Sequence, residues 1–283
     1  MKEIEESKMK TKIFVVVVLL LAFVNIASAE TVYWAGAGQG GDPPWCYDPS
    51  PDQLWSNANN WVEWFSTGYP AHNVPTAADY VELNCTGYVT LVNTGTAAVG
   101  SMLSVGYAGS HTLNVTGGTL AIGGFAELGG GSGDEGVMNV QGGVTTIGGN
   151  FAIGGPGLPQ YSWPGGNGTL NMSSGSIGVT GALQIGINAG TGDVILSGGT
   201  ISAAALAMTA NGLLTLSDDG LVVLPGNQTA LVNGYINSGW VSGQAEYMTA
   251  GQYAGNTLVF VPEPVTLFLL GVGGLVISRR RKG

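Results

Sequence analysis

The sequence predicts an all-β fold: a right-handed β-helix, or β-solenoid, of about six short coils. An aromatic N-terminal cap precedes the coils. An N-terminal signal helix and a short C-terminal hydrophobic helix flank the whole. Three observations carry this. Four segments align as a repeat: HTLNVTGGTLAIGG at 111–124, GVMNVQGGVTTIGG at 136–149, GTLNMSSGSIGVTG at 168–181 and GDVILSGGTISAAA at 192–205. Within each, apolar residues alternate with polar ones. Glycine supplies 49 of the 283 residues, against an average near 7%, and charged residues only 9%, against roughly 25%.

The repeat defines the elements of the coil. Leu113 and Val115, Met138 and Val140, and Leu170 and Met172 stand two apart, so on a strand each pair shares one face. A Gly-Gly or Ser-Gly turn follows. A second short strand brings Leu120 and Ile122, or Ile177 and Val179, and a third brings Leu128, Ile153, Ile185 and Met208, one per repeat. Three short strands joined by glycine corners describe one coil of a solenoid. Residues 89–110 read as a preceding coil and 213–232 as a last one. About six coils at ~4.8 Å make a prism roughly 29 Å long. PGLPQYSWPGG at 156–166 is an insertion within the repeat. Asn114, Asn139 and Asn171 recur at one repeat position and suggest turn or ladder hydrogen bonding.

The domain organisation follows: a signal peptide at 1–29, the aromatic cap at 30–88, solenoid repeats at 89–232, a closing segment at 233–260 and a C-terminal tail at 261–283. Charge divides the chain along the same lines. Its eight basic residues are Lys2, Lys8, Lys10, Lys12, Arg279, Arg280, Arg281 and Lys282. From Glu30 to Val261 there is no Lys or Arg, while 14 of the 18 Asp and Glu lie there. Nucleic-acid binding needs cations to displace phosphate counterions, so that class is excluded for the central region. Lys–carboxylate and Arg–carboxylate bridges are excluded there too, and stability must come from burial and backbone hydrogen bonds.

Both ends read as addresses. Basic residues at 8–12 precede an apolar run from Ile13 to Ile26, and small residues at Ala27 and Ala29 mark signal cleavage before Glu30. Met9 is an alternative translation start. At the other end stand Pro262, Glu263 and Pro264, an apolar stretch at 265–277, then Arg279, Arg280, Arg281 and Lys282. Thirteen apolar residues as a helix span only about 20 Å, short of a ~30 Å hydrocarbon core. The terminal cations favour the cytoplasmic side.

This tail resembles the PEP-CTERM sorting signal of Gram-negative bacteria, over residues 261–283. Pro262, Glu263 and Pro264 match its motif, and Arg279 to Lys282 its basic stop. The resemblance implies recognition by an exosortase, a membrane transpeptidase-like enzyme, and transient inner-membrane residence through the C-terminal helix. It implies an exported product at the cell surface or in the extracellular matrix, associated with extracellular polysaccharide and biofilm. The alternative is a permanent membrane anchor. The repeats themselves resemble autotransporter passengers and other PEP-CTERM surface proteins, but no translocator barrel fits the remaining residues and that function is not carried over.

The N-terminal segment differs in composition. It holds Trp34, Trp45, Trp55, Trp61 and Trp64, five of the seven tryptophans. YWAGAG, LWSNANNW and VPTAADYVEL resemble a recurring opening of bacterial surface β-helix proteins. These aromatics are expected to cover the first coil. The alternative is a sugar-contact platform, shared with Tyr161 and Trp163 of the insertion. Cys46 and Cys85 are the only cysteines. Export permits a disulfide between them, and two separate buried thiols are the alternative.

Catalysis is not expected. β-Helix lyases use Arg or Lys as base, and the central region has neither. Asp218-Asp219-Gly220 reads as a turn rather than an acid–base pair. His72 and His111 lie far apart, without nucleophile motifs, and read as solvated or capping residues. No cofactor is expected and no metal ligands are assigned. The single Ca²⁺ alternative is GGGSGDEG at 129–136, where Glu135 falls at the place of the usual Asp and the motif occurs once. The function expected is structural or adhesive, in the cell envelope or extracellular matrix. A carbohydrate-binding surface module and a β-helix polysaccharide hydrolase are the alternatives.

Overall fold

The structure, a computed structural model, describes residues 31–34, 53–63, 73–84, 86, 88–107, 109–155, 164–243 and 249–261. The signal segment, including Ala27 and Ala29, lies outside the described residues, as does the tail with Pro262, Glu263, Pro264 and Arg279 to Lys282. So do Trp45, Trp64, Tyr161, Trp163, His72, Cys46 and Cys85. Among the described residues no helix is long and apolar enough to cross a membrane.

Strands β1 (Thr31–Trp34), β2 (Trp61–Glu63) and β3 (Tyr80–Leu83) precede the first coil. That coil is β4 (Tyr88–Val92), β5 (Thr96–Val99) and β6 (Met102–Val105); the second is β7 (Ser110–Val115), β8 (Thr119–Ile122) and β9 (Phe125–Leu128). In the third coil β10 (Glu135–Ile147) runs through a corner before β11 (Phe151–Ile153), and in the fourth β12 (Asn167–Ile185) runs through both corners. The fifth is β13 (Thr191–Leu196) with β14 (Thr200–Met208), and the sixth begins with β15 (Gly212–Leu216) and β16 (Leu221–Pro225). Successive coils pair in parallel on three faces, giving a β-solenoid of about six turns.

The sequence alignment coincides with the hydrogen-bonded register. His111, Gly136, Gly168 and Gly192 are successive partners on the first face. Leu128, Ile153, Ile185 and Met208 are successive partners on the third. Alternation does the rest: Leu113, Val115, Leu120, Val140, Leu170, Met172, Val194 and Leu196 all turn inward and are buried. Burying each such Leu or Val is worth about 1.5–3 kcal/mol before chain entropy is subtracted. A single coil has no inside, so this burial exists only through stacking.

The corner between the third and first faces needs glycine. Gly129 turns with φ 69°, and a side chain there would collide with the Asn167 backbone. Gly168, one coil on, would place a Cβ against the Gly154 nitrogen, 2.5 Å from the Leu128 carbonyl oxygen and 2.9 Å from the Ile153 carbonyl carbon. The glycine excess is therefore partly a packing requirement: rungs cross here at backbone contact.

The last coil departs from expectation. The 213–232 segment forms two strands, and then α1 (Thr229–Asn237) begins, in place of a third strand. Val232 is buried, and Tyr235 and Ile236 pack on the core. Their three- and four-residue spacing is helical, whereas the third-face strands alternate with period 2. β17 (Val241–Gly243) continues the first face on β15. β18 (Thr249–Tyr253) and β19 (Asn256–Phe260) form a hairpin, and β19 pairs antiparallel with β16. That reversal ends the parallel stack at this end.

Candidate functional site

Among the described residues, three places concentrate polar or aromatic chemistry. The first is the N-terminal cap. Leu54 bridges in parallel to Leu91, extending the first face by one rung. The Leu91 N–H donates to the Gln53 carbonyl and the Trp55 N–H to the Leu91 carbonyl, both at 2.9 Å. Asn57 accepts from the Asn59 N–H at 3.0 Å and so caps the short 3₁₀ turn Ala58–Asn60. That turn delivers Trp61 onto Trp55, ring centroids 4.7 Å apart and edge to face. The Trp61 Nε1–H donates to the Trp55 carbonyl at 2.8 Å. Trp55 and Trp61 are 3% and 0% exposed, so neither offers a ring face to a sugar. For these two the sugar-contact alternative is corrected: they are core residues of the cap. Trp34 lies on β1 in register with Trp61.

The second is an amide ladder on the outer side of the first face. The Asn139 side chain donates to Asn114 Oδ1 at 2.8 Å, and Asn171 donates to Asn139 Oδ1 at 2.9 Å. The repeated asparagine is thus a hydrogen-bonded column running along the stack. Ile195 and Thr215 continue it in the next two coils.

The third was not read from the sequence. Glu82, Ser104 and Glu127 are successive register partners on the third face, and all three are buried, Glu82 at 6% and Glu127 at 2% exposure. The Ser104 hydroxyl donates to Glu127 Oε1 at 2.8 Å. Burial pushes the Tyr80 phenol far above its ordinary range; the Glu82 charge adds to this, as does the hydrogen bond to Glu82, with smaller additions from Glu127 and Tyr107. Tyr80 therefore stays protonated and donates to Glu82. The Gly130 backbone lies against the Glu127 carboxyl: a Cβ there would strike it and would sit 3.4 Å from the Tyr107 ring. Asp134 fixes this covering loop by accepting from the Gly109 N–H at 3.1 Å. A signal for the pair does exist in the sequence. YVEL at 80–83 and FAEL at 125–128 carry Glu at the same strand position, two coils apart.

Other sequence-derived candidates resolve differently. His111 is not solvated. It is 2% exposed, on the inner side of the first face, with Nε2 2.8 Å from the Thr90 hydroxyl. Asp218 and Asp219 form an exposed turn, closed by the Gly220 N–H donating to the Ser217 carbonyl at 3.0 Å. In the 129–136 loop Asp134 is committed to Gly109, and Glu135 is exposed beside Ser110. Among the described residues no three His, Cys, Asp or Glu side chains gather as metal ligands. No protein-family model, no curated protein and no solved structure matches this chain.

Proposed function

We propose that the chain is an exported structural or adhesive protein of the Gram-negative envelope or extracellular matrix, delivered by an exosortase-type sorting system. In this reading the solenoid is right-handed, as crossovers between parallel strands nearly always are. It acts as a stiff spacer associated with extracellular polysaccharide. The supporting observation is where the last described strand stops. β19 ends at Phe260, two residues before the Pro262-Glu263-Pro264 motif, so a cut at the motif leaves β19 whole. The cation-free body supports the same reading: basic charge is confined to the two segments read as addresses.

The test compares wild type, a deletion of residues 262–283 and Glu263→Gln in the native host, by intact mass and fractionation. Wild type should lose its C-terminal arginines and reach the surface. The deletion should fold but be released or trapped elsewhere, and Glu263→Gln should persist as a longer membrane-held form. Surface-located wild-type protein that keeps Arg279, Arg280 and Arg281 would refute sorting. An unfolded deletion product would make the tail part of the fold.

A further inference from the structure

The second face, which begins at β5 and β8 and runs to β16, changes character at its C-terminal end. Its outer positions carry Thr119 and Ala121, then Val144 and Thr146, Ser176 and Gly178, and Thr200 and Ser202, rung by rung. The next two rungs bring Leu221 and Val223, then Phe260 and Leu258. Val222, Leu224, Thr257 and Val259 face inward and are buried, so alternation turns the other four outward. Tyr253, on β18 opposite Asn256, shares that outer side and is 73% exposed. Charge thins out at the same place. From Leu221 to Val261 the only Lys, Arg, Asp or Glu is Glu246, which lies outside the described residues. The tail adjoins this apolar surface. The chain leaves β19 at Phe260, and residues 261–264, reaching at most about 14 Å, separate it from the apolar run 265–277. As a helix that run covers only about 20 Å of a ~30 Å hydrocarbon core. With Arg279 to Lys282 held at the far headgroups, roughly 10 Å of hydrocarbon is left on the side of the body. Such a short span is accommodated by thinning the bilayer or by drawing flanking residues to its interface. The flanking residues here are the outer side chains of the C-terminal hairpin.

We propose that Leu221, Val223, Tyr253, Leu258 and Phe260 form a lipid-resting surface, which seats the C-terminal end of the solenoid at the headgroup–acyl boundary while the tail is in the bilayer. The inference rests on the reading of the tail as a membrane-entering segment. Tyr253 suits that boundary, because its ring is apolar and its hydroxyl stays wet. The outer positions nearer the N-terminus, mostly Thr, Ser, Ala and Gly, offer lipid little. The surface holds no Lys or Arg, so it has no electrostatic grip on anionic lipid, and few apolar side chains alone bind a bilayer weakly. The tail therefore brings the surface to the membrane, and loss of the tail releases it.

The experiment places the full chain in phosphatidylcholine vesicles that carry a nitroxide quencher at headgroup depth. A fluorophore is attached through Asn256→Cys, beside the surface, or through Thr146→Cys, further along the same face, each with Cys46→Ser and Cys85→Ser. Vesicle flotation reports the tail, and quenching reports the surface. The Asn256 label should lose fluorescence in vesicles and the Thr146 label should not. Adding Tyr253→Ser with Phe260→Ser should restore the Asn256 signal while flotation is unchanged. A chain that floats with its Asn256 label unquenched overturns the surface and leaves the tail reading standing. If that chain also has a doubled mass, a second copy covers the surface instead of lipid. Equal quenching of both labels overturns the proposal too, since proximity would then not be specific to this end. A chain that does not float overturns the tail reading and the surface with it. If the cysteine-free background does not fold, hydroxyl-radical oxidation of Tyr253 in wild type decides: its loss on adding vesicles supports the surface, and unchanged oxidation overturns it.

Discussion

Removing the central amide of the asparagine column should cost about twice what removing either end costs. Asn139 makes two bonds along the stack, donating to Asn114 and accepting from Asn171. Asn114 and Asn171 each make one such bond to the column. A net intramolecular hydrogen bond is worth about 0.5–1.5 kcal/mol. These side chains are half-buried, so the lower part of that range applies. Asn139→Ala should then lose about 1–2 kcal/mol, and Asn114→Ala or Asn171→Ala about 0.5–1 kcal/mol each. Asn and Ala are both poor strand formers, so propensity contributes little to the difference. The double variant Asn114→Ala with Asn171→Ala breaks the same two bonds and should match Asn139→Ala alone. Urea unfolding of the four variants measures this. Equal costs at all three single positions would refute the column as the source of stability, since each asparagine would then act only at its own site.

Four further outcomes follow from the packing. Gly168→Ala meets three backbone atoms within 3 Å and should lose about 2–3 kcal/mol or more; Gly234→Ala, on α1 with open space around it, should gain about 0.5–1 kcal/mol in the same urea assay. Thr145 is fully buried inside the stack, and its hydroxyl has no hydrogen-bond partner among the described residues. Thr145→Val should therefore stabilise by about 1 kcal/mol, seen as a raised thermal midpoint, and a loss of stability would reveal a hidden partner. Trp61→Phe keeps an aromatic ring but loses the bond to the Trp55 carbonyl; it should cost about 1–2 kcal/mol and remove the near-ultraviolet dichroism of the Trp55–Trp61 pair.

The solenoid was legible because one physical rule governs both sequence and register. Parallel stacking places equivalent residues on top of one another, so aligning 111, 136, 168 and 192 by similarity also aligns them in space. The place of His111 was legible by the same rule. It shares parity with Leu113 and Val115 and turns inward with them. Reading it as solvated or capping followed residue type instead of parity. α1 was missed because segment length suggested another coil, while the spacing of Val232, Tyr235 and Ile236 changed from two to three and four. The carboxyl column was hidden for a different reason. On β3 and β9 parity places Glu82 and Glu127 on the outer side, opposite Leu83 and Leu128. Glu127 is met there by the Gly130 backbone, from a loop folding back over that outer side, and alternation within a strand carries no information about it. Contact between that loop and Glu127 is a tertiary fact.

A parallel stack also constrains where charge can go. Register partners repeat every ~4.8 Å along the axis, so two ionised residues in neighbouring rungs would repel at short range, and this body has no Lys or Arg to interleave. The described strands respect that limit. Glu82 and Glu127 are separated by Ser104, Asp193 stands between Thr169 and Leu213, and Glu135 between Ser110 and Asn167. Among the described residues no two acidic side chains are register partners. Threonine repeats over two rungs, at Thr96 and Thr119, and asparagine over three; the asparagine amide both donates and accepts and so pairs with copies of itself. A carboxylate in the same column could only accept. The same geometry that makes an asparagine column stabilising would set ionised glutamates in neighbouring rungs against each other, and on the third face Ser104 stands between Glu82 and Glu127.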